Sequence, residues 1–379
     1  MVNSSAIQID CNFPGGNIIV DKIEGNTVWL KQDIRDTEGF WFYWYFRISG
    51  AGGRSLTFNF TGGKPVIGVR GPAISLDDGL TWRWLGRTNC TDDSFKYVFG
   101  PEENSVRFSF GMPYTEAELK SFLKCFASNP HLKVEKLCWS RKGRAVEMIL
   151  IGKSNNPAFR AAITCRHHAC EMMASYTVEG LIEAILAETP AGKWLRENVE
   201  FLIIPFVDKD GVEDGDQGKN RRPRDHNRDY DETPLYPETA SIMKLLPEWG
   251  AERLIAVMDL HCPWVCGEWH EHIYQVGVPD AVKWQEQERF GKILEKCISG
   301  LLPYQVDKDL PFGKSFNVPS NYRGRSFARW AVTIPGIKLV TSFEIPYSNA
   351  SGKEVNPVSA RIFGHDLAHA IYLYLSSRF

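Results

Sequence analysis

Long apolar segments are missing from this chain of 379 residues. The longest unbroken runs, such as 201–207, fall far short of the roughly 20 residues that a membrane-spanning helix needs. The first residues also lack the basic start and apolar segment of a secretory signal. We therefore expect a cytoplasmic protein without a transmembrane helix.

An excess of charge of either sign is also absent, because the formal net charge is −2. A chain so close to neutral has no field that would attract nucleic acid or an anionic membrane. The nine cysteines are an odd number without tight spacing, which favours reduced thiols over a disulfide framework. Cys262 and Cys266 form the closest pair in the C-terminal half, but they lack the two further partners of a structural zinc site.

Short segments rich in aromatic and β-branched residues occupy roughly the first 110 residues, separated by Gly, Asn and Asp turn signals. This spacing is typical of an antiparallel sandwich or barrel, and it predicts an N-terminal antiparallel β-sandwich domain over 1–114. Residues 40–46 are all aromatic. They predict a central strand buried on both faces in preference to a ligand-stacking strip.

The remaining residues, 115–379, show strands that alternate with helices. A helix from Thr115, with Thr115 as N-cap, begins this part. The alternation predicts an α/β fold in which helices flank both faces of a mixed sheet. In such sheets the functional site lies outside the carboxyl ends of the strands. Strands are predicted at 147–152, 161–166, 199–207, 254–260, 273–277 and 338–345, and helices at 171–187, 238–247, 281–299 and 357–377.

Polar residues follow several of these predicted strands. His168 and Glu171 lie three residues apart at a strand-to-helix turn, and His261 follows another apolar strand. Each motif alone is weak, and a single histidine after a strand is usually a polar loop residue. Together, two imidazoles and a carboxylate form a known catalytic zinc set that leaves a fourth position for water.

A basic loop over 218–228 follows the predicted strand 199–207, and on its own it would be a solvated turn. It contains Asp225, Asn227 and Arg228, however, and an arginine beside an amide is well shaped to hold a carboxylate. Glu344 ends the last predicted strand, where a carboxylate next to a metal is a candidate general base.

In combination these residues resemble the zinc carboxypeptidases of the M14 (carboxypeptidase A) family, most of all its cytosolic carboxypeptidase-like branch. Five segments occur in the family's order, so the resemblance covers nearly the whole chain. One departure lies in the ligand motif, where Ala169 and Cys170 replace Pro-Gly. The segments are 112–115 (Met-Pro-Tyr-Thr), 166–171 (Arg-His-His-Ala-Cys-Glu), 208–212 (Asp-Lys-Asp-Gly-Val), 225–228 (Asp-His-Asn-Arg) and 259–261 (Asp-Leu-His).

The resemblance implies a role for each matching residue. His168, Glu171 and His261 would hold one zinc ion, and Asp225 would orient a ligand imidazole. Glu344 would be the general base. Asn227 and Arg228 would bind the terminal carboxylate of the substrate.

Further roles in the family fall on residues that the sequence places less sharply. An arginine should stabilise the oxyanion of the scissile carbonyl, and both Arg221 and Arg222 compete for this role, with Arg221 preferred. Counting back from Glu344 puts Tyr322 at the position of the family's mobile tyrosine. The same count puts Arg329 in the pocket for the last side chain, where an arginine would favour an acidic terminal residue; a plain surface position for Arg329 remains the alternative.

The resulting prediction is a cytoplasmic zinc metallocarboxypeptidase that hydrolyses the C-terminal peptide or isopeptide bond of peptides or proteins. An aspartoacylase-like zinc N-acyl amino-acid deacylase shares the same ligand plan and is the alternative enzyme. A non-catalytic binding protein on the same fold is a third possibility, which the complete set of ligands and base disfavours.

Overall fold

The computed structural model describes residues 6–152, 155–321 and 323–378. Its strands are β1 Gln8–Asp10, β2 Ile19–Glu24, β3 Thr27–Lys31, β4 Tyr45–Ser49, β5 Ser55–Phe60, β6 Ala73–Ser75, β7 Arg83–Trp84, β8 Ser94–Val98, β9 Ser105–Ser109, β10 Leu132–Trp139, β11 Ala145–Gly152, β12 Phe159–Cys165, β13 Val199–Ile204, β14 Leu254–His261, β15 Tyr274–Val276, β16 Leu339–Glu344, β17 Asn349–Ala350 and β18 Lys353–Glu354. Its α-helices are α1 Glu116–Lys124, α2 Met172–Leu186, α3 Pro190–Asn198, α4 Lys209–Asp214, α5 Pro237–Gly250, α6 Ala281–Cys297, α7 Phe327–Ala331 and α8 Pro357–Ser376.

The N-terminal part consists of two sheets, with strand orders β1-β4-β9-β6-β7 and β2-β3-β5-β8. Aromatic side chains from both sheets pack between them: Phe46 contacts Phe58, and Phe95 contacts Phe108, at ring-centroid distances of 5.7 and 5.2 Å. The predicted antiparallel β-rich architecture is confirmed. One pair departs from it, since β3 and β5 run parallel.

The aromatic segment 40–46 does not form the predicted central strand, because regular pairing begins only at Tyr45. The main chain of Tyr43 is instead held by the side chain of Gln217, which accepts from its N–H at 2.7 Å and donates to its carbonyl at 2.9 Å. Residues 42–44 are buried, but Trp41 is only partly buried. A side chain from the second half of the chain therefore takes the place of a neighbouring strand.

Helix α1 begins where the sequence predicts. Thr115 is its N-cap, and the Glu118 carboxylate accepts from the Thr115 N–H at 2.6 Å. The helix ends at Lys124, whereas the sequence predicts an end near Ser128. The division into domains at 114/115 stays a prediction, since a single buried apolar cluster includes residues from both sides of it.

The second half is built on a seven-stranded sheet of order β10-β11-β13-β12-β14-β16-β15. Its central strands β13, β12, β14 and β16 are parallel, and its edge pairs are antiparallel. Buried residues of α2, α6 and α8 pack on one face, and buried residues of α5 and α7 pack on the other. The predicted mixed sheet flanked by helices is confirmed.

Parallel pairing brings the carboxyl ends of three strands together. Cys165 at the end of β12 is the register partner of Leu260, and His261 at the end of β14 is the partner of Glu344 at the end of β16. The polar segments that follow β12 and β14 therefore leave the sheet at one edge, next to Glu344.

Two expectations about the chain as a whole can be compared with the structure. Among the described residues, no helix combines the length and the apolar character needed to cross a membrane. All nine cysteines are free thiols, as the sequence predicts.

Candidate metal centre and substrate cavity

The turn that carries His168 and Glu171 is held by the side chain of Arg166. Arg166 itself has a left-handed backbone conformation, with φ of +59°. Its guanidinium donates to the carbonyls of Ala169 and Tyr114, at 3.1 and 2.9 Å. These bonds hold the chain in a tight turn directly after β12. Glu171 is then the N-cap of α2.

Three side chains converge at this edge of the sheet. His168 Nδ1 lies 3.0 Å from Oε1 of Glu171, and His261 Nδ1 lies 2.7 Å from Oε2 of the same carboxylate. Within the described residues, the donor atoms of these three side chains all lie within 4.8 Å of one another. The site therefore presents two imidazole nitrogens and one carboxylate to a single small volume, which is the donor set of a catalytic zinc site.

The opposite ring nitrogens of both histidines face carboxylates. His168 Nε2 lies 3.3 Å from Asp225 Oδ1, and His261 Nε2 lies 2.6 Å from Asp259 Oδ2. Such carboxylate partners fix the tautomer and orientation of metal-binding histidines. With both Nε2 atoms engaged, the two Nδ1 atoms are the ones directed at Glu171. These residues fit a zinc ion.

Electrostatics keep the carboxylate ligand ionised. Burial alone would raise the pKa of Glu171, but His168, Lys219 and His261 outweigh it and hold the pKa well below its ordinary value. The pKa of Asp259 is also lowered, because the neighbouring His167 and His261 outweigh the effect of its burial. Both carboxylates are therefore negatively charged at neutral pH.

A lysine that the sequence analysis did not single out lies at the centre of the site. The Lys219 ammonium is 2.5 Å from Glu171 Oε1 and 5.7 Å from the ring centroid of Trp41. Burial alone would lower the pKa of Lys219, but the Glu171 and Glu344 carboxylates raise it above its ordinary value. Lys219 is therefore a permanent cation, with its side chain 15% exposed, beside the candidate metal ligands.

The backbone next to Lys219 is packed against the ligand turn. Gly218 has φ of +76°, and a Cβ atom there would lie 2.1 Å from the amide nitrogen of Ala169, so no larger residue fits. The carbonyl of Gln217 accepts from the Cys170 N–H at 3.1 Å. Asp36, from the N-terminal part, accepts from the Gln217 and Gly218 N–H groups at 3.1 and 2.9 Å. Both halves of the chain thus hold Lys219 in position.

Glu344 lies beside this cluster in the wall of a cavity of about 340 Å³. Burial raises the pKa of the Glu344 carboxyl above its ordinary value, and the charges of Lys219 and His261 offset only part of this effect. The cavity is lined by His168, His261, Lys219, Asn227 and Arg228 among others, and also by Trp41 of the aromatic segment. Both candidate histidine ligands, the candidate base and the cations therefore line one cavity.

Comparison with known proteins agrees with this geometry. Residues 119–251, which include His168, Glu171 and Arg228, match the sequence model of the peptidase family M14, described as zinc carboxypeptidase. Residues 119–251 therefore match a zinc carboxypeptidase domain of the M14 family. The chain is thereby a metallocarboxypeptidase-type enzyme, as the sequence predicts. His261 and Glu344 lie outside the matched segment and complete the same site in the structure.

Relatives with this domain come from several organisms. An uncharacterized protein of Zymomonas mobilis is 25% identical over 324 residues, covering 83% of this chain and 81% of that protein. Cytosolic carboxypeptidase 2 of Mus musculus is 28% identical over 274 residues, but the match covers 61% of this chain and only 31% of the mouse protein. The chain thus spans about a third of the length of that relative.

Solved structures show the same fold. The metallo-carboxypeptidase of Burkholderia cenocepacia superposes with a TM-score of 0.80 over 99% of this chain and 100% of its own, at 20% identity. A metallo-carboxypeptidase of Pseudomonas aeruginosa superposes with a TM-score of 0.77 over 97% and 99% of the two chains, at 19% identity. The superpositions therefore include both N-terminal sheets and the seven-stranded sheet of this chain.

The two arginines expected to serve the oxyanion lie elsewhere in the zinc carboxypeptidase domain. Arg221 is bound by Asp208 and Asp216 at 2.5 and 3.0 Å, and it does not line the cavity. Arg222 is 67% exposed and pairs with Glu38 at 3.0 Å. Because carboxylates hold the first and solvent surrounds the second, the cation beside the ligands is Lys219.

Other predicted residues do line the cavity. The side chain of Asn227 is fixed from two sides, since its Oδ1 accepts from the Phe327 N–H at 2.9 Å and its Nδ2 lies 3.2 Å from His261 Nε2. Arg228 and Arg329 contribute to the same wall. Tyr322 lies outside the described residues.

Two residues of the site escaped the sequence analysis although a signal for each was present. Asp259 and His261 are two apart on a strand, so their side chains must point to the same face, and the aspartate is therefore next to the ligand. Lys219 is a cation in the same basic loop as Arg221 and Arg222. The contribution of Trp41 had no local signal, because it depends on the packing of the two halves.

Proposed function

We propose that this chain hydrolyses the C-terminal peptide bond, or an isopeptide bond, of peptides or proteins and favours an acidic terminal residue. The single observation that carries the proposal is that the two candidate histidine ligands, the buried Glu344 and Arg228 line one cavity, with Glu171 beside the histidines. Metal, base and carboxylate-binding group are the three parts that a metallocarboxypeptidase requires.

One zinc ion would be held by His168, Glu171 and His261. When bound, zinc would polarise the scissile carbonyl and lower the pKa of a water molecule toward neutrality. Asp225 and Asp259 would keep both imidazoles oriented toward the ion through their Nε2 atoms.

Arg228 and Asn227 would bind the terminal carboxylate of the substrate. A guanidinium forms two parallel, charge-assisted hydrogen bonds with a carboxylate, and the neighbouring amide adds a further donor. An internal peptide segment has no carboxylate at this point and would leave Arg228 and Asn227 without a carboxylate partner. The pair would therefore restrict cleavage to chain ends.

Glu344 would act as the general base and then as the general acid. Its carboxylate would take a proton from the attacking water, whose oxygen forms a bond to the carbonyl carbon. The same carboxyl would deliver that proton to the leaving nitrogen as the C–N bond breaks, which releases the terminal amino acid and the shortened peptide. Burial of Glu344 supports this role, because it brings the pKa of the group closer to the working pH.

Lys219 would stabilise the negative charge that develops on the carbonyl oxygen. A fixed cation in an enclosed cavity acts on such charge far more strongly than one in water, and it needs no reorganisation during the reaction. This role replaces the one that the sequence assigned to Arg221.

Arg329 would set the preference for the last residue. Its guanidinium would pair with the side-chain carboxylate of a terminal glutamate or aspartate, whereas a basic side chain would be repelled. We place the activity in the cytoplasm, by analogy with the cytosolic carboxypeptidases among the relatives.

The proposal is tested with the zinc-reconstituted protein and a matched pair of peptides that end in glutamate, one with a free and one with an amidated C-terminus. Mass spectrometry should detect loss of a single residue from the free peptide and no cleavage of the amidated one. Chelation should abolish the loss, and added zinc should restore it. Failure to release the residue, or equal cleavage of both peptides, would refute the proposal.

A further inference from the structure

A row of three side chains crosses the edge of the sheet next to the candidate metal centre. His261 on β14 is the register partner of Glu344 on β16, and Glu344 is in turn the register partner of Tyr274 on β15. Side chains of directly paired residues project from the same face of a sheet, with Cβ atoms about 5 Å apart. Tyr274 therefore stands beside Glu344, on the side opposite to the ligand His261.

Tyr274 is buried, with 2% of its surface exposed, and it lines the same cavity as Glu344. In the part of the chain that the structure describes, neither the Tyr274 hydroxyl nor Oε2 of Glu344 has a hydrogen-bond partner. Buried polar atoms of proteins are paired in the great majority of cases, and an unpaired one destabilises the fold. Two such atoms on neighbouring strands of one cavity require an explanation.

Other buried tyrosines of this chain show what a structural hydroxyl looks like. Each is hydrogen-bonded to a neighbouring side chain or carbonyl. Among the described residues, Tyr274 is the one tyrosine whose buried hydroxyl lacks a partner. The paired examples are Tyr114 with Glu179 at 2.8 Å, Tyr176 with the Pro113 carbonyl at 2.7 Å, Tyr230 with His167 at 2.7 Å and Tyr304 with Asp309 at 2.7 Å.

The chemistry of the two unpaired atoms restricts what can satisfy them. Burial and the charge of Glu344 raise the pKa of Tyr274 well above its ordinary value, so the phenol keeps its proton and acts as a donor. An ionised carboxylate only accepts. A peptide group offers both complements at once, because its carbonyl oxygen accepts and its N–H donates.

We propose that Tyr274 is a further catalytic residue, whose hydroxyl donates a hydrogen bond to a main-chain oxygen of the peptide at the reacting bond, next to Glu344. This inference rests on the proposed carboxypeptidase function and adds to it a group from β15, a strand to which the sequence analysis gave no role. The unpaired hydroxyl of the free protein is then a donor kept in position for the substrate.

The test replaces Tyr274 by phenylalanine (Y274F), which removes the hydroxyl and leaves the ring. The matched control is Tyr374→Phe on helix α8. It removes a hydroxyl that donates to Glu286 of helix α6 at 2.5 Å, away from the cavity. The zinc-loaded wild type and both variants are compared on a glutamate-terminated peptide. For each protein, kcat, KM, zinc content and the midpoint of thermal unfolding are measured.

For Y274F we expect kcat to fall roughly ten- to hundredfold. A loss of this size is typical when one hydrogen-bond donor to the transition state is removed. KM should change by less than about twofold, and zinc content should stay the same. The unfolding midpoint should be unchanged or higher, since the variant removes an unpaired buried group. Tyr374→Phe should show the reverse pattern, with a lower midpoint and wild-type kcat.

Three outcomes would overturn the inference. An unchanged kcat in Y274F would show that the hydroxyl does not contact the reacting peptide. A loss of kcat that comes with a lower midpoint or less zinc would assign Tyr274 a structural role instead. An inactive wild type would overturn the proposed function itself, and with it this inference. The first two outcomes require an active wild type, so the two kinds of failure can be told apart.

Discussion

The Lys219 ammonium and the buried Glu171 carboxylate form an ion pair, 2.5 Å from Nζ to Oε1, at the point where the candidate metal ligands meet. The lysine is held there by Gly218, whose backbone touches the ligand turn, and by Asp36 of the N-terminal part. A cation next to the ligand carboxylate is well placed to share the negative charge of a reacting carbonyl oxygen. Its position also links the N-terminal sheets to the chemistry of the site.

Replacing Lys219 by methionine (K219M) tests this role. We expect kcat to fall roughly 10²–10³-fold, the usual effect of removing one preorganised group that stabilises an oxyanion. Lys219→Arg should restore part of the rate, because it retains the charge but not the shape. Steady-state kinetics on a glutamate-terminated peptide measures both effects.

Lys209 provides the matched control, since it is a buried lysine that pairs with Glu147 at 2.7 Å outside the cavity. Lys209→Met should lower stability and leave kcat of the remaining folded protein unchanged. Wild-type kcat in K219M would contradict the assignment of Lys219 to the oxyanion and favour Arg221 for that role.

The Asp259 carboxylate should affect metal binding through His261. Asp259→Asn removes the charge that faces His261 Nε2 at 2.6 Å, and loss of such a partner weakens zinc binding by roughly 10–100-fold. Competition with a chelator of known affinity measures the change. Asp366→Asn serves as the control. This buried aspartate of helix α8 accepts a hydrogen bond from the Ser299 hydroxyl, and its replacement should leave zinc affinity unchanged. Equal affinities in wild type and Asp259→Asn would refute the role.

The acidic preference should depend on Arg329. Arg329→Met (R329M) should lower kcat/KM for a glutamate-terminated peptide relative to a leucine-terminated one by roughly 10-fold or more, since an ion pair within a cavity contributes at least 1.4 kcal/mol. The ratio of the two values is the informative quantity. Arg222→Met, which alters an exposed arginine outside the cavity, should leave the ratio unchanged. A wild-type preference for large apolar ends would contradict this assignment before any variant is made.

The sequence predicted those parts of the site that strand ends determine. His168, His261 and Glu344 each follow an apolar strand, and parallel pairing brings such ends together whatever the details of packing. Asn227 and Arg228 were predicted because an arginine beside an amide, in one short segment with Asp225, is well shaped to hold a carboxylate.

Residues set by long-range packing were not predictable in the same way. Arg221 was a reasonable choice from chemistry alone, but Asp208 and Asp216 bind it, and only the folded loop shows that Lys219 faces the ligands instead. The aromatic segment 40–46 was expected to form a strand because its composition fits one. Its backbone is satisfied by Gln217, a residue more than 170 positions away, which no local pattern reveals.

Glu344→Gln (E344Q) tests the central claim most directly, because it removes the proposed proton acceptor with almost no change in shape. The variant and the wild type are purified in parallel. For each sample, the zinc content and the rate of terminal glutamate release are both measured. We predict stoichiometric zinc in both proteins and a rate in E344Q at least roughly 10³-fold lower than in the wild type. Turnover by E344Q close to that of the wild type would contradict the account.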